Sequence, residues 1–505
     1  LSNLADLVRE AALRTPGKPA LLYRDAAMTW GELEARVAST AGGLRALGLS
    51  AGDRVAIALG NTPGFVVAYF AALRAGLVAV PVNTGYTPAE LEHLLGDSGA
   101  AAVVCVRAAV PALLTLRETL PALAHVVVSD TATAPAGTVS LDEVGSGAPW
   151  DGSAGGGEDL AVLIYTSGTS GRPKGAMLSH RALLANLDQC AAITPPVVQE
   201  DDVVLLVLPL FHIYGLNPGL GVLAKAGATG VLVERFDPAD TLAEVRRRHV
   251  TNVVGAPPMY VAWSMIADLS EAFATVRLLV SGAAPLPPAV LSSILDRTGQ
   301  HVFEGYGLTE TSPVLTTTLM SEVAKPGSIG RAVPGVELRL LDEAGRVVDD
   351  EPGEIVVRGP NVFSGYWPDG AGGPDRDGWF ATGDVAYADD DGDLFLVDRR
   401  KELILVSGFN VYPREVEDVL LRHPDVEEAA VIGMPHPYTG ESVKALVVVR
   451  PGAQLSAEDV VAHCALSLAR FKCPTAVEFA DELPHSATGK VSKGRLRESA
   501  GLLAR

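Results

Sequence analysis

The sequence predicts an α/β protein with mostly parallel sheets, then a β-rich stretch, then a small α/β unit. Three observations carry this. Before residue 335, short β-branched runs alternate with Ala/Leu-rich helical stretches, the pattern of βαβ units. After it, VELRLLDEAGRVVDDEPGEIVVRG alternates with period two between turn residues. Finally, 505 residues exceed what one hydrophobic core serves, so roughly two to four domains or subdomains are expected.

Each element has a local reason. LSNLADLVREAALRTPGK reads as an amphipathic helix and lacks the basic start and apolar run of a signal peptide. RVAIAL (54–59) is a strand. TPGFVVAYFAALRAG (62–76) is a helix, with Thr62 as N-cap, Pro63 in the first turn and Gly76 past its end. VAVPV (78–82) is a strand, TPAELEHLLGDSG (87–99) a helix, and AAVVCV (101–106) and HVVVSD (125–130) are strands. GAML (175–178) is a strand, and Ser179 caps the helix HRALLANL. Residues 203–224 carry no formal charge over 22 positions, long enough to span a bilayer. Pro209, His212, Asn217, Pro218 and several glycines interrupt the run, so it reads as a buried strand, a turn at Pro209 and a short inner helix. From Val411 a small unit follows, with helix 413–422, strands 426–432 and 443–449, and helix 456–469. The charged run DRRKE (398–402) is the natural linker. It divides the chain into residues 1–400, with a β-rich subdomain at about 335–397, and residues 401–505.

Composition sets limits. Hydrophobic residues make up 48% and charged residues 20%, a globular balance. A net charge of −20 argues against a nucleic-acid partner, although local loops can still face an anionic substrate. Cys105, Cys190, Cys464 and Cys473 are scattered without a CxxC pair, and the ten histidines show no HExxH spacing. A disulfide scaffold or zinc site is therefore not expected, and a reducing, cytoplasmic setting fits. No integral membrane segment is expected, and at most weak peripheral membrane contact; monomer and homodimer are both open.

The stretch with most chemistry is TSGTSGRPKG, from Thr166 to Gly175: four hydroxyls, three glycines and a lysine in ten residues. Glycines let backbone N–H groups approach an anion, and hydroxyls add donors. It is not a P-loop, because Pro173 sits where the second glycine belongs. A strand, not a helix, follows, so the loop has no helix N-terminus to offer. Its grip on phosphate comes from its own backbone, its hydroxyls and Lys174. A Gly/Ser/Thr loop by itself is as readily a plain linker.

The order TSGTSGRPKG, PLFHIYGL (209–216), SGAAPL (281–286), YGLTE (306–310), GWFATGD (378–384), DRRKELILVSGFNVYPREVE (398–417) and PHSATGK (484–490) resembles the adenylate-forming superfamily of acyl-CoA synthetases, peptide-synthetase adenylation domains and luciferases. The likeness covers essentially the whole chain and is strongest to fatty-acyl-CoA and coumarate-type CoA ligases. It implies a large N-terminal domain of mostly parallel sheets with flanking helices and a β-rich subdomain, and a small mobile α+β C-terminal domain. It also implies a reaction. A carboxylate attacks the α-phosphorus of ATP to give acyl-AMP and pyrophosphate, and the thiol of coenzyme A then displaces AMP.

The resemblance carries over residue by residue. Thr166, Ser167, Gly168, Thr169, Ser170, Gly171 and Lys174 would hold the leaving phosphates. Gly282, Ala283 and Ala284, with Gly305 and Gly307, would border the nucleotide. Tyr306 would lie against adenine and Thr309 touch the α-phosphate. Glu310 would bind Mg2+, a hard cation suited to a carboxylate. Asp384 would accept from both ribose hydroxyls, with Arg399 beside the ribose or phosphate. Lys490 would neutralise the incoming carboxylate and the α-phosphate. His212 would gate the acyl tunnel and assist thioester formation. Lys401 would be the hinge about which the small domain turns, bringing Ser407, Gly408 and Phe409 to the CoA side. Each of these has a plainer alternative when met alone: a helix-terminal carboxylate for Glu310, a core histidine for His212, a solvated charge for Lys401 and Lys490.

For the acid, HIYGLNPGLG offers no carboxylate until Glu234, and an unpaired buried ammonium is costly. Amino-acid-activating relatives carry an aspartate just after the position of His212 to hold the substrate ammonium, so the resemblance implies that an amino acid is not the substrate; no nearby Arg or Lys suggests a dicarboxylic acid. Gly215, Gly219 and Gly221 are expected to leave room, with Tyr214 and Met259 as apolar walls. A medium-to-long-chain fatty acid is preferred. An aryl acid of the cinnamate or coumarate type, transfer to a carrier-protein pantetheine, and a non-catalytic nucleotide-binding relative are the alternatives.

Overall fold

Helix caps written into the sequence form as read. The Thr62 hydroxyl accepts the Phe65 N–H at 3.4 Å and starts the helix Pro63–Arg74. Thr87 and Glu90 make a reciprocal capping box, and Gly99, left-handed at φ 58°, ends the helix Pro88–Ser98. Ser179 accepts from Ala182 N–H at 3.2 Å and starts the helix His180–Ala191. These belong to a computed structural model that describes residues 2–166, 173–349, 351–399, 402, 404–406, 409–436, 440–468, 470–485 and 489–500.

The chain forms two compact units. The first comprises Leu1–Pro326, Gly330–Glu337 and Arg358–Phe380; the second comprises Gly327–Ile329, Leu338–Val357 and Ala381–Arg505.

Among the described residues, the first unit holds a seven-stranded and a nine-stranded sheet. The seven-stranded sheet runs Val139–Ser140, His125–Val128, Ala100–Cys105, Arg54–Ala58, Val78–Pro81, Leu160–Thr166 and Lys174–Ser179. All its pairs are parallel except the last. Its central strands are buried on both faces, which is why they read as unbroken apolar runs without alternation. The nine-stranded sheet has a parallel body of Val302–Gly307, Leu278–Ser281, Asn252–Gly255, Val203–Leu206, Thr229–Leu232 and Pro19–Tyr23. Antiparallel strands close each end.

The uncharged run 203–224 resolves as expected into the strand Val203–Leu206, a turn and helix. The helix is π-wound over Gly215–Gly221 and continues as the α-helix Val222–Ala226. Pro218 lies inside it and has no N–H to give, which a wider turn accommodates. Among the described residues, no helix is long and apolar enough to cross a membrane.

In the second unit, Glu337–Leu341, Gly353–Arg358, Phe380–Ala388 and Leu394–Arg399 form a four-stranded sheet, the period-two stretch of the sequence. A five-stranded sheet follows, built on the long hairpin Val426–His436 and Gly440–Val449. The helices Pro413–Leu420 and Ala457–Ala465 cover it through Val416, Val419, Leu420, Val460 and Cys464. The second helix ends at Ala465 instead of reaching 469, where the Leu466 and Ser467 N–H groups bond three residues back, to the His463 and Cys464 carbonyls, and tighten the last turn.

All four cysteines are buried free thiols, and burial pushes those of Cys105 and Cys190 up to about 12. His180, at the first turn of its helix, is 1% exposed, and its Nδ1 accepts the Leu4 N–H at 3.0 Å. Burial lowers its pKa from 6.5 to about 4, with the nearby Asp159 and Asp6 opposing the shift. The folded pKa lies below the unfolded one, so as pH falls the unfolded chain takes up the proton first. His180 then contributes stability that is whole above pH 6.5 and lost progressively towards pH 4. The loss should amount to roughly 3 kcal/mol. Chemical denaturation of wild type and His180→Asn, compared between neutral pH and pH 4, should show a shallower fall in the variant; equal slopes would contradict this assignment.

Candidate active site

In the nine-stranded sheet, Val203–Leu206 lies between Thr229–Leu232, which follows it in the chain, and Asn252–Gly255, from which the strands step away on the other side. The strand order therefore reverses at Val203–Leu206, and open α/β sheets take ligands beyond the carboxyl ends of strands at such a point. His212 follows the end of this strand. Ser281 pairs with Glu304 at the last parallel step of the neighbouring strands, so Gly282 and Gly305 come next on the same edge.

His212 is half-buried, and its Nδ1 accepts the Tyr214 N–H at 3.2 Å. The neutral ring must then carry its proton on Nε2. The Tyr214 ring lies against Gly282, where a Cβ would stand 2.8 Å from Tyr214 Cζ. The Tyr214 hydroxyl is buried without a hydrogen-bond partner among the described residues, and burial raises its pKa above the ordinary value. Met259, 5% exposed, is part of the apolar core with Tyr260, Trp263 and Leu286.

The glycines beside this site differ from expectation. A Cβ at Gly215 would lie 2.5 Å from the Pro209 carbonyl oxygen, and one at Gly221 would lie 2.8 Å from Asn217 Oδ1. A Cβ at Gly219 would come within 3.3 Å of Leu206 Cδ2. Gly215 and Gly221 let the helix pack closely and do not hold open a tunnel. What remains is an apolar slot lined by Leu205, Leu206, Leu208, Gly215, Gly219 and Val254, narrower than a water molecule.

Glu310 lies in a single helical turn, Thr309–Thr311, after the strand that carries Gly305, Tyr306 and Gly307. Three buried amides hold the turn that follows. Asn361 Nδ2 donates to Thr311 O at 2.8 Å, Asn217 Nδ2 to Ser312 O at 2.7 Å, and Asn186 Nδ2 to Val314 O at 2.8 Å. Asn186 Oδ1 also accepts the Val314 N–H, and Gln189 secures Asn361. The amides matter because Ser312 is held at φ 71°, a left-handed conformation uncommon for serine. The Glu310 carboxylate accepts the Tyr366 hydroxyl at 2.6 Å, and the Phe363 N–H donates to the Glu310 carbonyl.

The strands Leu160–Thr166 and Lys174–Ser179 pair antiparallel, with Thr166 opposite Lys174 at the mouth of the loop. The loop thus joins two strands, as read from sequence. Ser167, Gly168, Thr169, Ser170 and Gly171 lie outside the described residues. Lys174 Nζ stands 5.5 Å from the centre of the Tyr366 ring. The structure therefore brings Lys174, Tyr366 and Glu310 together. Tyr366 and the three asparagines escaped sequence reasoning; the only trace of them was a polar Asn217 inside an otherwise apolar run.

In the second unit, Asp384 is 6% exposed and its N–H donates to Thr382 Oγ1 at 3.1 Å. Its backbone pairs directly with Arg399 across the antiparallel strands, so these two candidates are opposite neighbours. Lys490 is exposed, on a loop closed by the pairing of His485 with Val491. Phe409 opens the short strand Phe409–Val411. Lys401, Ser407 and Gly408 lie outside the described residues, as does the side chain of Arg399.

Known proteins resemble this chain along nearly its whole length. Residues 8–367 match the AMP-binding enzyme family, and residues 415–490 match the AMP-binding enzyme C-terminal domain. The chain is 38% identical to a long-chain-fatty-acid–CoA ligase of Yersinia pestis, over 98% of this chain and 94% of the relative. It is 39% identical to a feruloyl-CoA synthase of an Amycolatopsis species, over 98% of both. The structure of ATP-bound MatB from Rhodopseudomonas palustris superposes with a TM-score of 0.90 at 35% identity, covering 98% of this chain and 99% of that one.

Two glycines of one strand should respond oppositely to alanine. At Gly307 a Cβ would overlap the Pro313 carbonyl oxygen, whereas at Gly305 the nearest atom, Thr316 O, is at 3.4 Å, an ordinary contact. Gly307→Ala should lose at least about 3 kcal/mol of stability. Gly305→Ala should melt with the wild type yet bind nucleotide or acid less well. Urea titration and ligand binding measured on both variants check this, and a destabilised Gly305→Ala would remove Gly305 from the site.

Proposed function

The chain belongs to the AMP-binding enzyme family, and from this premise we propose which acid it activates and what each residue does. Like its ligase relatives, it is an ATP-dependent acid–CoA ligase working through an acyl adenylate. The carboxylate attacks the α-phosphorus and pyrophosphate leaves; the CoA thiol then attacks the acyl carbon and AMP leaves.

The observation that carries the choice of acid is the slot beside the π-helix, whose side chains are all aliphatic or glycine. It offers no cation for a second carboxylate and no carboxylate for an ammonium, and burying either unpaired would be costly. The acyl group is therefore apolar, and a medium-to-long-chain fatty acid is the first reading. Its chain parts Leu206 and Leu208 on entry. One observation favours a second reading, an aryl acid of the cinnamate or coumarate type: the buried Tyr214 hydroxyl, which a ring hydroxyl on the acid would satisfy.

The proposed parts follow. Tyr306 lies against adenine, with Gly282, Ala283, Ala284, Gly305 and Gly307 bordering the nucleotide. Asp384 and Arg399, opposite each other on their strands, serve the ribose. Thr309 and the loop from Thr166 to Lys174 take the phosphates. Lys490 neutralises the attacking carboxylate and the α-phosphate. His212, its ring set by the Tyr214 N–H, faces the acid. Residues 401–505 turn about Lys401 between the two half-reactions, exchanging Lys490 for Ser407, Gly408 and Phe409.

Glu310 fits Mg2+. It is a hard, half-buried carboxylate with one oxygen bonded to a hydroxyl and the other unpartnered among the described residues. Mg2+ is held by one or two carboxylates together with substrate phosphates and waters. When bound, the ion spreads charge neutralisation over the phosphates.

Lys490→Ala should cut acyl-adenylate formation by roughly two orders of magnitude, the scale of one well-placed charge stabiliser, and spare thioester formation from supplied acyl-AMP. Equal loss in both halves would refute that role, and absence of acid-dependent pyrophosphate exchange in the wild type would point to a non-catalytic relative. The acid itself is read from kcat/KM, measured by AMP release, for acids from butyrate to palmitate with cinnamate and coumarate. Each buried methylene should add up to about 0.8 kcal/mol, about fourfold, until the pocket ends. A flat fatty-acid series with coumarate far above it would establish the aryl ligase.

A further inference from the structure

We infer that Tyr366 is a positioning residue for the metal–phosphate side of the site, through the Glu310 carboxylate and through Lys174. The inference rests on the proposed role of Glu310 as a Mg2+ ligand.

Five observations place Tyr366 there. Its hydroxyl donates to Glu310 at 2.6 Å. Its ring faces Lys174 Nζ at 5.5 Å, within reach of a cation–π attraction. Its backbone is fixed by pairing with the edge strand Lys174–Ser179: Tyr366 pairs with Ala176, the Met177 N–H donates to Gly365 O, and the Trp367 N–H donates to Gly175 O. Gly365 makes the bend possible, at φ 93° and with the Gly370 carbonyl where a Cβ would be. The Phe363 N–H bonds the Glu310 carbonyl, so this one segment holds Glu310 by both main chain and side chain.

The physical consequence concerns rotation. A carboxylate that binds a cation through one oxygen can swing about its last bond. A donor on the other oxygen stops that swing and leaves the free lone pairs pointing one way. Loss of such an outer partner typically weakens metal binding by about 10- to 100-fold. The ring adds a second effect, because it keeps the cationic end of the loop stem on the same side as the carboxylate. Metal ligand and phosphate-loop lysine are thus set by one side chain.

The probe is Mn2+, titrated into full-length protein with ATP but no acid, so that no turnover occurs, and followed by the electron paramagnetic resonance of the free ion. Tyr366→Phe keeps the ring, its packing on Phe363 and the backbone pairing, and should melt with the wild type. It should weaken Mn2+ about tenfold. Glu310→Gln should weaken it at least as much, and the double variant should be no worse than Glu310→Gln alone, because the hydroxyl acts through that carboxylate. Tyr366→Leu, which also removes the ring, should weaken ATP binding beyond Tyr366→Phe. If Glu310→Gln weakens Mn2+ but Tyr366→Phe binds it like the wild type, the inference is wrong while the metal role stands. If the two single losses add in full, Tyr366 does not act through Glu310. If Glu310→Gln itself binds Mn2+ normally, the metal role fails and takes the inference with it.

Discussion

The strand Lys174–Ser179 ends a seven-stranded sheet, and its outer edge exposes backbone groups that need partners. Residues 364–367 supply them by antiparallel pairing, from a part of the chain nearly two hundred positions away. Much else at the site hangs on that requirement. Covering the edge carries Tyr366 to the Glu310 carboxylate and under Lys174, and it carries the Phe363 N–H to the Glu310 carbonyl. A constraint of sheet construction thus becomes a constraint on where a carboxylate and a lysine sit.

The turn that follows Glu310 is governed by buried amides. Asn186, Asn217 and Asn361 come from three separate elements and converge on the carbonyls of Thr311, Ser312 and Val314. Each buried bond costs more to lose than it contributes, because an orphaned carbonyl keeps its full desolvation penalty. Asn217 links further, since its amide also donates to Leu183 at 3.2 Å. It belongs to the π-helix whose glycines line the apolar slot. The π-helix and the turn after Glu310 are thereby tied by a single side chain.

Features that depend on near neighbours were legible in the sequence. Thr62, Thr87 and Ser179 cap helices because a hydroxyl needs only an N–H three residues on. The strands of the parallel sheets were legible because burial on both faces demands apolar runs. The uncharged run 203–224 was divided correctly because Pro209 and Pro218 interrupt it locally. What sequence hid depends on what lies opposite. Gly215 and Gly221 looked like open space, but their meaning is set by the Pro209 carbonyl and the Asn217 amide. Tyr366 looked like one aromatic among many, since the edge it covers lies far away in the chain. Asn217 was visible only as a polar interruption, because its acceptor is Ser312, ninety-five positions on.

One further feature bears on mechanics. Asp384 and Arg399 face each other in an antiparallel ladder, with Val385 opposite Asp398 beside them. Residues held in such a ladder have their backbone torsions locked by hydrogen bonds on either side. The backbones of Arg399 and Asp384 are therefore held to each other by the sheet. If residues 401–505 turn about Lys401 as proposed, the pivot falls just past the end of this ladder, and the span from there to Lys490 sets the reach of the turn. A pivot a few residues earlier would have to break the backbone pairing of Asp384 with Arg399 and of Val385 with Asp398.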